Sequence, residues 1–211
     1  MTVCFDLDGT LLYTLEDLHN ALNHSLKKYG YKEVSLDETR LNVGNGIRNL
    51  IIDSAKSSDN IDLMFSEFKK YYEVHCTDNT LPYIGMVKLV SDLKNMGYKI
   101  ACVSNKHYVT LNKLINYYFP NMFDIVLGDG MGYERKPNPN IIYTCAEMLE
   151  EDLSNFIYIG DSDIDAKTII NANIKGILVS YGYRDKSILE EFMLPIADNV
   201  YELLNKISEF K

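Results

Sequence analysis

The sequence predicts an α/β fold: a Rossmann-like parallel sheet core with a helical cap domain inserted into it. Three observations predict it. The chain opens on a short run, Val3-Cys4-Phe5, apolar at successive positions as a strand buried on both faces is. From about residue 14 to 81, apolar residues recur only at helical spacing. From residue 86 onward, helical stripes alternate with short apolar runs, the pattern of parallel βαβ units. The division implied is a core of residues 1–13 and 82–211 and a cap of residues 14–81.

The elements follow in order. After the first strand, Thr14 with Asp17 resembles a capping box, and Leu18, Ala21, Leu22, Leu26 and Tyr29 give one helical face that stops at Gly30. Ser35 with Glu38 is a second capping box. The turn Val43-Gly44-Asn45-Gly46 opens a helix striped by Ile47, Leu50, Ile51 and Ala55, and Ile61, Met64, Phe65, Phe68 and Tyr72 stripe the next. No strand is expected in this block, and Leu81-Pro82-Tyr83-Ile84-Gly85 reads as the linker back to the core. In the core, helices are expected around Met86–Leu93, Val109–Tyr118, Ile141–Leu149 and from Ile164. Strands are expected at Ile100–Val103, Asp124–Gly128, Phe156–Ile159 and Gly176–Val179. The tail carries a short helix, Ile188–Phe192, and a last one with Val200, Leu203, Leu204 and Ile207.

Composition narrows the function classes. Lys and Arg number 21 against 30 Asp and Glu, a net charge of −9. Bulk electrostatics therefore oppose binding to nucleic acid or to an anionic membrane surface, so an anionic substrate must be attracted locally. No apolar run nears the roughly 20 residues that span a bilayer, and no secretory leader pattern is visible. The four cysteines, Cys4, Cys76, Cys102 and Cys145, are scattered without C-x-x-C pairs, which suits buried thiols in a reducing compartment. The expectation is a cytoplasmic monomer or weak dimer.

The chemistry sits at strand ends. Asp6 and Asp8 follow the first strand two residues apart, so in an extended chain both point the same way. Carboxylates that close repel unless a cation lies between them or one is protonated, and a hard divalent ion such as Mg²⁺ suits them. Gly9 permits a sharp turn just after. Ser104 follows the second strand, where its hydroxyl and nearby N–H groups suit a phosphoryl oxygen, although Ser is commoner there as a helix cap. Lys136 precedes Pro137, which favours an extended backbone and an inward-pointing ammonium over a solvated one. Asp161 leaves the strand Phe156–Ile159 as Asp6 leaves the first and completes a three-oxygen metal site. Asp165, one helical turn on, either holds a ligand or orients Lys136. The Asp-x-Asp-x-Asp string at 161–165 lacks the Gly and distant Glu of a calcium loop.

In this order, Asp6-Leu7-Asp8-Gly9-Thr10, Ser104, Lys136 and Gly160-Asp161-x-x-x-Asp165 resemble the four motifs of the haloacid dehalogenase-like phosphohydrolase superfamily, with a C1-type cap inserted after the first. Val43-Gly44-Asn45-Gly46 and Gly160-Asp161-Ser162-x-x-Asp165 look most like phosphoglycolate phosphatases, while Tyr13-Thr14 departs from their usual Asp-Ser. The resemblance implies a Mg²⁺-dependent phosphatase of a small phosphorylated metabolite. Asp6 would be the nucleophile, forming an aspartyl-phosphate, and Asp8 the general acid and base. Mg²⁺ would lie on Asp6, Asp161 and the backbone carbonyl of Asp8. Thr10, Ser104, Asn105 and Lys136 would bind substrate, with Asn45 and Arg48 as contacts from the cap. Two alternatives share the motifs in part: a phosphosugar mutase similar to β-phosphoglucomutase, and a non-enzymatic receiver-like module. Haloacid dehalogenase itself lacks the second aspartate.

Overall fold

The computed structural model describes residues 1–210. Its first strand, β1 (Thr2–Phe5), is buried at all four positions and lies in the middle of a six-stranded sheet. β4 (Lys99–His107) and β6 (Phe156–Gly160) flank it, β5 (Ile125–Asp129) lies beyond β4, and β7 (Lys175–Val179) and β8 (Ile196–Ala197) lie beyond β6. Every pairing is parallel. Helices α5 (Met86–Asn95), α6 (Tyr108–Tyr118), α7 (Asn140–Leu149), α8 (Asp163–Ala172), α9 (Lys186–Glu190) and α10 (Val200–Ser208) alternate with the strands. The α/β class and the parallel sheet are as the apolar runs predict.

Between residues 14 and 81 the chain builds four helices: α1 (Leu15–Lys28), α2 (Leu36–Asn42), α3 (Ile47–Ala55) and α4 (Ile61–His75). The stripe Leu18, Ala21, Leu22 and Leu26 is buried, as are Met64, Phe68 and Tyr72 of α4. The Ser25 hydroxyl ties α1 to α4 by donating to the Met64 carbonyl at 2.7 Å. Ser35 and Glu38 form the expected capping box at α2.

The stem of this insertion is stiffer than the sequence predicts. β2 (Leu12–Tyr13) and β3 (Leu81–Pro82) pair antiparallel where a plain linker was expected. Buried Asp17 accepts the N–H groups of Asn79 and Thr80 and the Thr80 hydroxyl at 2.8–3.1 Å, binding the start of the insertion to its end. Two-residue strands, β8 included, are too short to show a periodicity. Thr14 caps no helix through its side chain, because its hydroxyl is drawn to Asp8 instead. Val109 is exposed in the first turn of α6 rather than part of its apolar stripe. Asp124 lies outside β5, accepting the Ile100 N–H at 2.8 Å. β4 runs on to His107, so Ser104, Asn105 and Lys106 lie within the strand and not in a turn after it. Among the described residues no helix is long and apolar enough to cross a membrane.

Candidate active site

The chain's path through the sheet reverses between β1 and β6: β4 and β5 extend one way, β7 and β8 the other. Open α/β sheets bind ligands beyond the carboxyl ends of their strands at such a reversal. Asp6, Asp8, Ser104 and Asp161 all line one cavity there, of about 50 Å³. Leu18, Val43, Ile47 and Leu50 of the insertion close it from above.

Asp6 is buried, and burial pushes its carboxyl up to about 6. Lys136 and a hydrogen bond from Ser104 pull it down, while Asp165 and Asp8 push it up. Its Oδ1 has no hydrogen-bond partner. Lys136 Nζ stands 3.0 Å away, a charge contact without the alignment of a hydrogen bond. Asp161 is raised well above the usual carboxylate range by burial and by Asp165 and Asp6. Its Oδ2 accepts the Tyr183 N–H at 2.6 Å, and its Oδ1 the Thr10 hydroxyl at 3.4 Å. Thr10 thus supports Asp161 from beneath and is fully buried, away from the cavity wall.

Oxygens of Asp6, Asp161 and Asp165 lie within 4.8 Å of one another. The Asp165 oxygens are already taken. Oδ2 accepts the Ser162 hydroxyl at 2.6 Å and the N–H groups of Ser162 and Asp161 at 3.1 and 3.2 Å. Oδ1 accepts Lys136 Nζ at 2.7 Å and the Tyr158 hydroxyl at 3.0 Å. Of the two roles the sequence allows, Asp165 fills the orienting one. Asp6 and Asp161 remain: two buried carboxylates, one with an oxygen that accepts no hydrogen bond, both costly to ionise as they stand. That donor set fits a hard divalent cation, which favours their charged forms.

The second aspartate is held apart from this cluster. Asp8 Oδ1 accepts the Thr14 hydroxyl at 2.6 Å, and Lys106 Nζ lies 2.8 and 3.1 Å from its two oxygens. Lys106 also donates to the Tyr72 hydroxyl of α4 at 2.8 Å. Lys136 is equally enclosed: burial opposes its charge, but Asp165 and Asp6 outweigh that and raise its pKa. Asn105 is committed to structure. Its Oδ1 accepts the Lys136 N–H at 2.8 Å, and its amide donates to the Lys136 carbonyl at 3.0 Å and to the Gly44 carbonyl at 3.1 Å.

Two glycines let the backbone approach Asp161. Gly9 holds a φ of +81°, and a Cβ there or on Gly182 would collide with the Asp161 carboxyl group. The segment Tyr181–Arg184 after β7 forms the site's far wall. Thr14 N–H donates to the Tyr183 hydroxyl at 2.7 Å, with the Thr14 hydroxyl 3.0 Å from it. Arg184 donates to the carbonyls of Arg40 and Val43 at 3.1 and 2.8 Å, satisfying the open C-terminal end of α2. Arg40 returns a bond to the Tyr183 carbonyl.

The two residues of the insertion expected to touch substrate do not reach the cavity. Arg48 is on the outer face of α3, 2.6 Å from Asp62 and stacked on Phe65 at 4.7 Å. Asn45 faces a separate surface groove with Asp53 and Lys167. Lys106, Tyr72, Tyr183 and Arg184 are in or against the site and were not anticipated. No local pattern marked them: Lys106 follows the polar pair Ser104-Asn105, past the end of the apolar run Ile100–Val103.

The chain matches the haloacid dehalogenase-like hydrolase family model over residues 3–179. It is 33% identical over 189 residues to a phosphoglycolate phosphatase of Cereibacter sphaeroides, covering 86% of each chain. It is 30% identical over 211 residues to that of Aquifex aeolicus, covering 99% of each. A solved structure from Lactobacillus delbrueckii subsp. bulgaricus superposes with a TM-score of 0.91 at 29% identity, over 98% of this chain and 97% of that one. A predicted phosphoglycolate phosphatase from Haemophilus somnus gives the same TM-score and coverage at 25% identity.

Proposed function

Because this chain belongs to the haloacid dehalogenase-like hydrolase family and is a phosphatase, we propose that it hydrolyses a small phosphorylated acid of the phosphoglycolate type, with Mg²⁺, through an aspartyl-phosphate on Asp6. The observation that carries this reading is the meeting of Asp6, Asp8 and Asp161 on one small cavity. The relatives named phosphoglycolate phosphatase support the substrate class. The same relatives favour hydrolysis over the mutase alternative. A phosphatase family is no home for the receiver-like alternative.

In the proposed reaction an Asp6 oxygen attacks phosphorus, and the bond from phosphorus to the leaving oxygen breaks. Asp8 gives that oxygen its proton. Water then attacks the phosphorus of the acyl phosphate, Asp8 takes the water's proton, and Asp6 and inorganic phosphate separate. Lys136 offsets the charge of the phosphoryl oxygens beside Asp6, and Ser104 donates to the same region. Asp165 holds Lys136 in place. Mg²⁺, held by Asp6, Asp161 and the Asp8 backbone carbonyl, would supply charge neutralisation for the carboxylates and the transferring group. The helical insertion, residues 14–81, acts as the domain that covers the core and excludes water during transfer.

The acidic chain with its four free, buried cysteines fits a cytoplasmic protein that binds neither nucleic acid nor membranes. The site is complete within one chain, in keeping with a monomer or weak dimer. The test is steady-state turnover of phosphoglycolate with and without Mg²⁺. Wild type turns over repeatedly with the metal and stops in EDTA, and Asp6→Asn abolishes turnover. A near-wild-type rate in Asp6→Asn would end the nucleophile assignment.

A further inference from the structure

We propose that Lys106 sets the substrate specificity of this site by binding a carboxylate on the leaving group. The proposal rests on the phosphatase reading above and adds to it the residue that selects the substrate.

Two buried lysines stand on opposite sides of the catalytic acids. Lys136 contacts Asp6 and Asp165, on the side where phosphorus is attacked. Lys106 contacts Asp8, the acid that serves the leaving oxygen. Whatever hangs from that oxygen therefore lies against Lys106. Its side chain is only 3% exposed, yet it forms part of the cavity wall. An ammonium has three N–H donors. The two Asp8 oxygens and the Tyr72 hydroxyl take all three, and the longest of these contacts, 3.1 Å to Asp8 Oδ2, is the one a ligand carboxylate would replace.

The remainder of the leaving-group side offers no rival charge. Leu18, Val43, Ile47 and Leu50 are apolar. Arg184, the other cation on the wall, is turned to Asp163 at 3.3 Å and to two carbonyls of the insertion. A carboxylate a few atoms from phosphorus would find one cation there and would supply the countercharge that Asp8 lacks when it enters the reaction protonated, which a neutral group would not. A site of that kind discriminates by what it leaves unpaired as much as by what it binds.

The experiment compares kcat/KM for phosphoglycolate and for ethyl phosphate, which has a methyl group in place of the carboxylate, on the full chain with Mg²⁺. Wild type is expected to favour phosphoglycolate by roughly 10- to 100-fold, the range of a charged hydrogen bond. In Lys106→Met that ratio collapses towards one, and in Lys106→Arg the preference persists. A Met variant that slows both substrates equally and keeps the wild-type ratio overturns the proposal, because Lys106 then serves only to hold Asp8. A second measurement needs no variant: 3-phosphonopropionate should inhibit wild type roughly 10- to 100-fold more tightly than propylphosphonate, and equal inhibition constants overturn the proposal. Failure of wild type to turn over phosphoglycolate at all is a separate result that removes the underlying reading.

Discussion

Lys136 and Asp165 form a buried ion pair, 2.7 Å between Nζ and Oδ1, with side chains 2% and 0% exposed. The pair is enclosed by Tyr158, whose hydroxyl bonds to both residues. Neither charge reaches water, so each is tolerated only because of the other and of the surrounding donors. Removing Asp165 leaves the buried Lys136 ammonium with Asp6 alone, 3.0 Å away, and strips an acceptor from Tyr158 and Ser162. Asp165→Ala is therefore expected to lower stability by about 3–5 kcal/mol, measured by urea unfolding. A loss below about 1 kcal/mol, the size of an average substitution, would show that the pair is not what holds this region.

Gly9 has a different kind of necessity. Its φ of +81° is costly for any residue with a side chain, and its missing Cβ is the space the Asp161 carboxyl group occupies. Gly9→Ala should displace Asp161 and weaken Mg²⁺ binding roughly 10- to 100-fold, the usual effect of disturbing a ligand's support. Titrating activity against Mg²⁺ reads this directly. An unchanged half-saturating concentration would show that the ligand moves freely without penalty.

Asp6 gives a pH signature when the metal is removed. Its folded-state pKa lies at about 6, above the ordinary 3.8, with burial the largest cause. Between those values the folded chain holds more protons than the unfolded one, so stability falls as pH rises. The contribution is fully favourable below 3.8 and lost through pH 6. In EDTA, Asp6→Asn should therefore melt higher than wild type at pH 7.5, with the gap narrowing steadily below pH 6 and closing only near the ordinary value of 3.8. Comparison with the variant cancels the carboxylates whose shifts run the other way, such as Asp124 and Asp198. A gap that is constant with pH would contradict the raised value.

Legibility in the sequence tracked the range of the interactions. β1 and its aspartates were readable because an apolar run and the charges after it are neighbours in the chain, and strand geometry alone aligns them. The same logic found Asp161 and placed Lys136 among the carboxylates. Lys106 and Asp8 meet across 98 positions, and no local pattern marks which carboxylate a buried lysine will find. Arg48 failed for the converse reason. Helical position put it on the insertion, but its facing was decided by Asp62 and Phe65, residues of the next helix. Asn105, expected to bind substrate, lines the cavity but spends its amide on the carbonyls of Gly44 and Lys136, partners distant in sequence.

The mutual arginine contacts at the end of α2 have a consequence for Asp161. Arg184 grips the insertion, Arg40 grips the segment carrying Tyr183, and the Tyr183 N–H braces Asp161. Any tilt of the insertion away from the core would therefore be felt, through the two arginines, by the segment that holds Asp161.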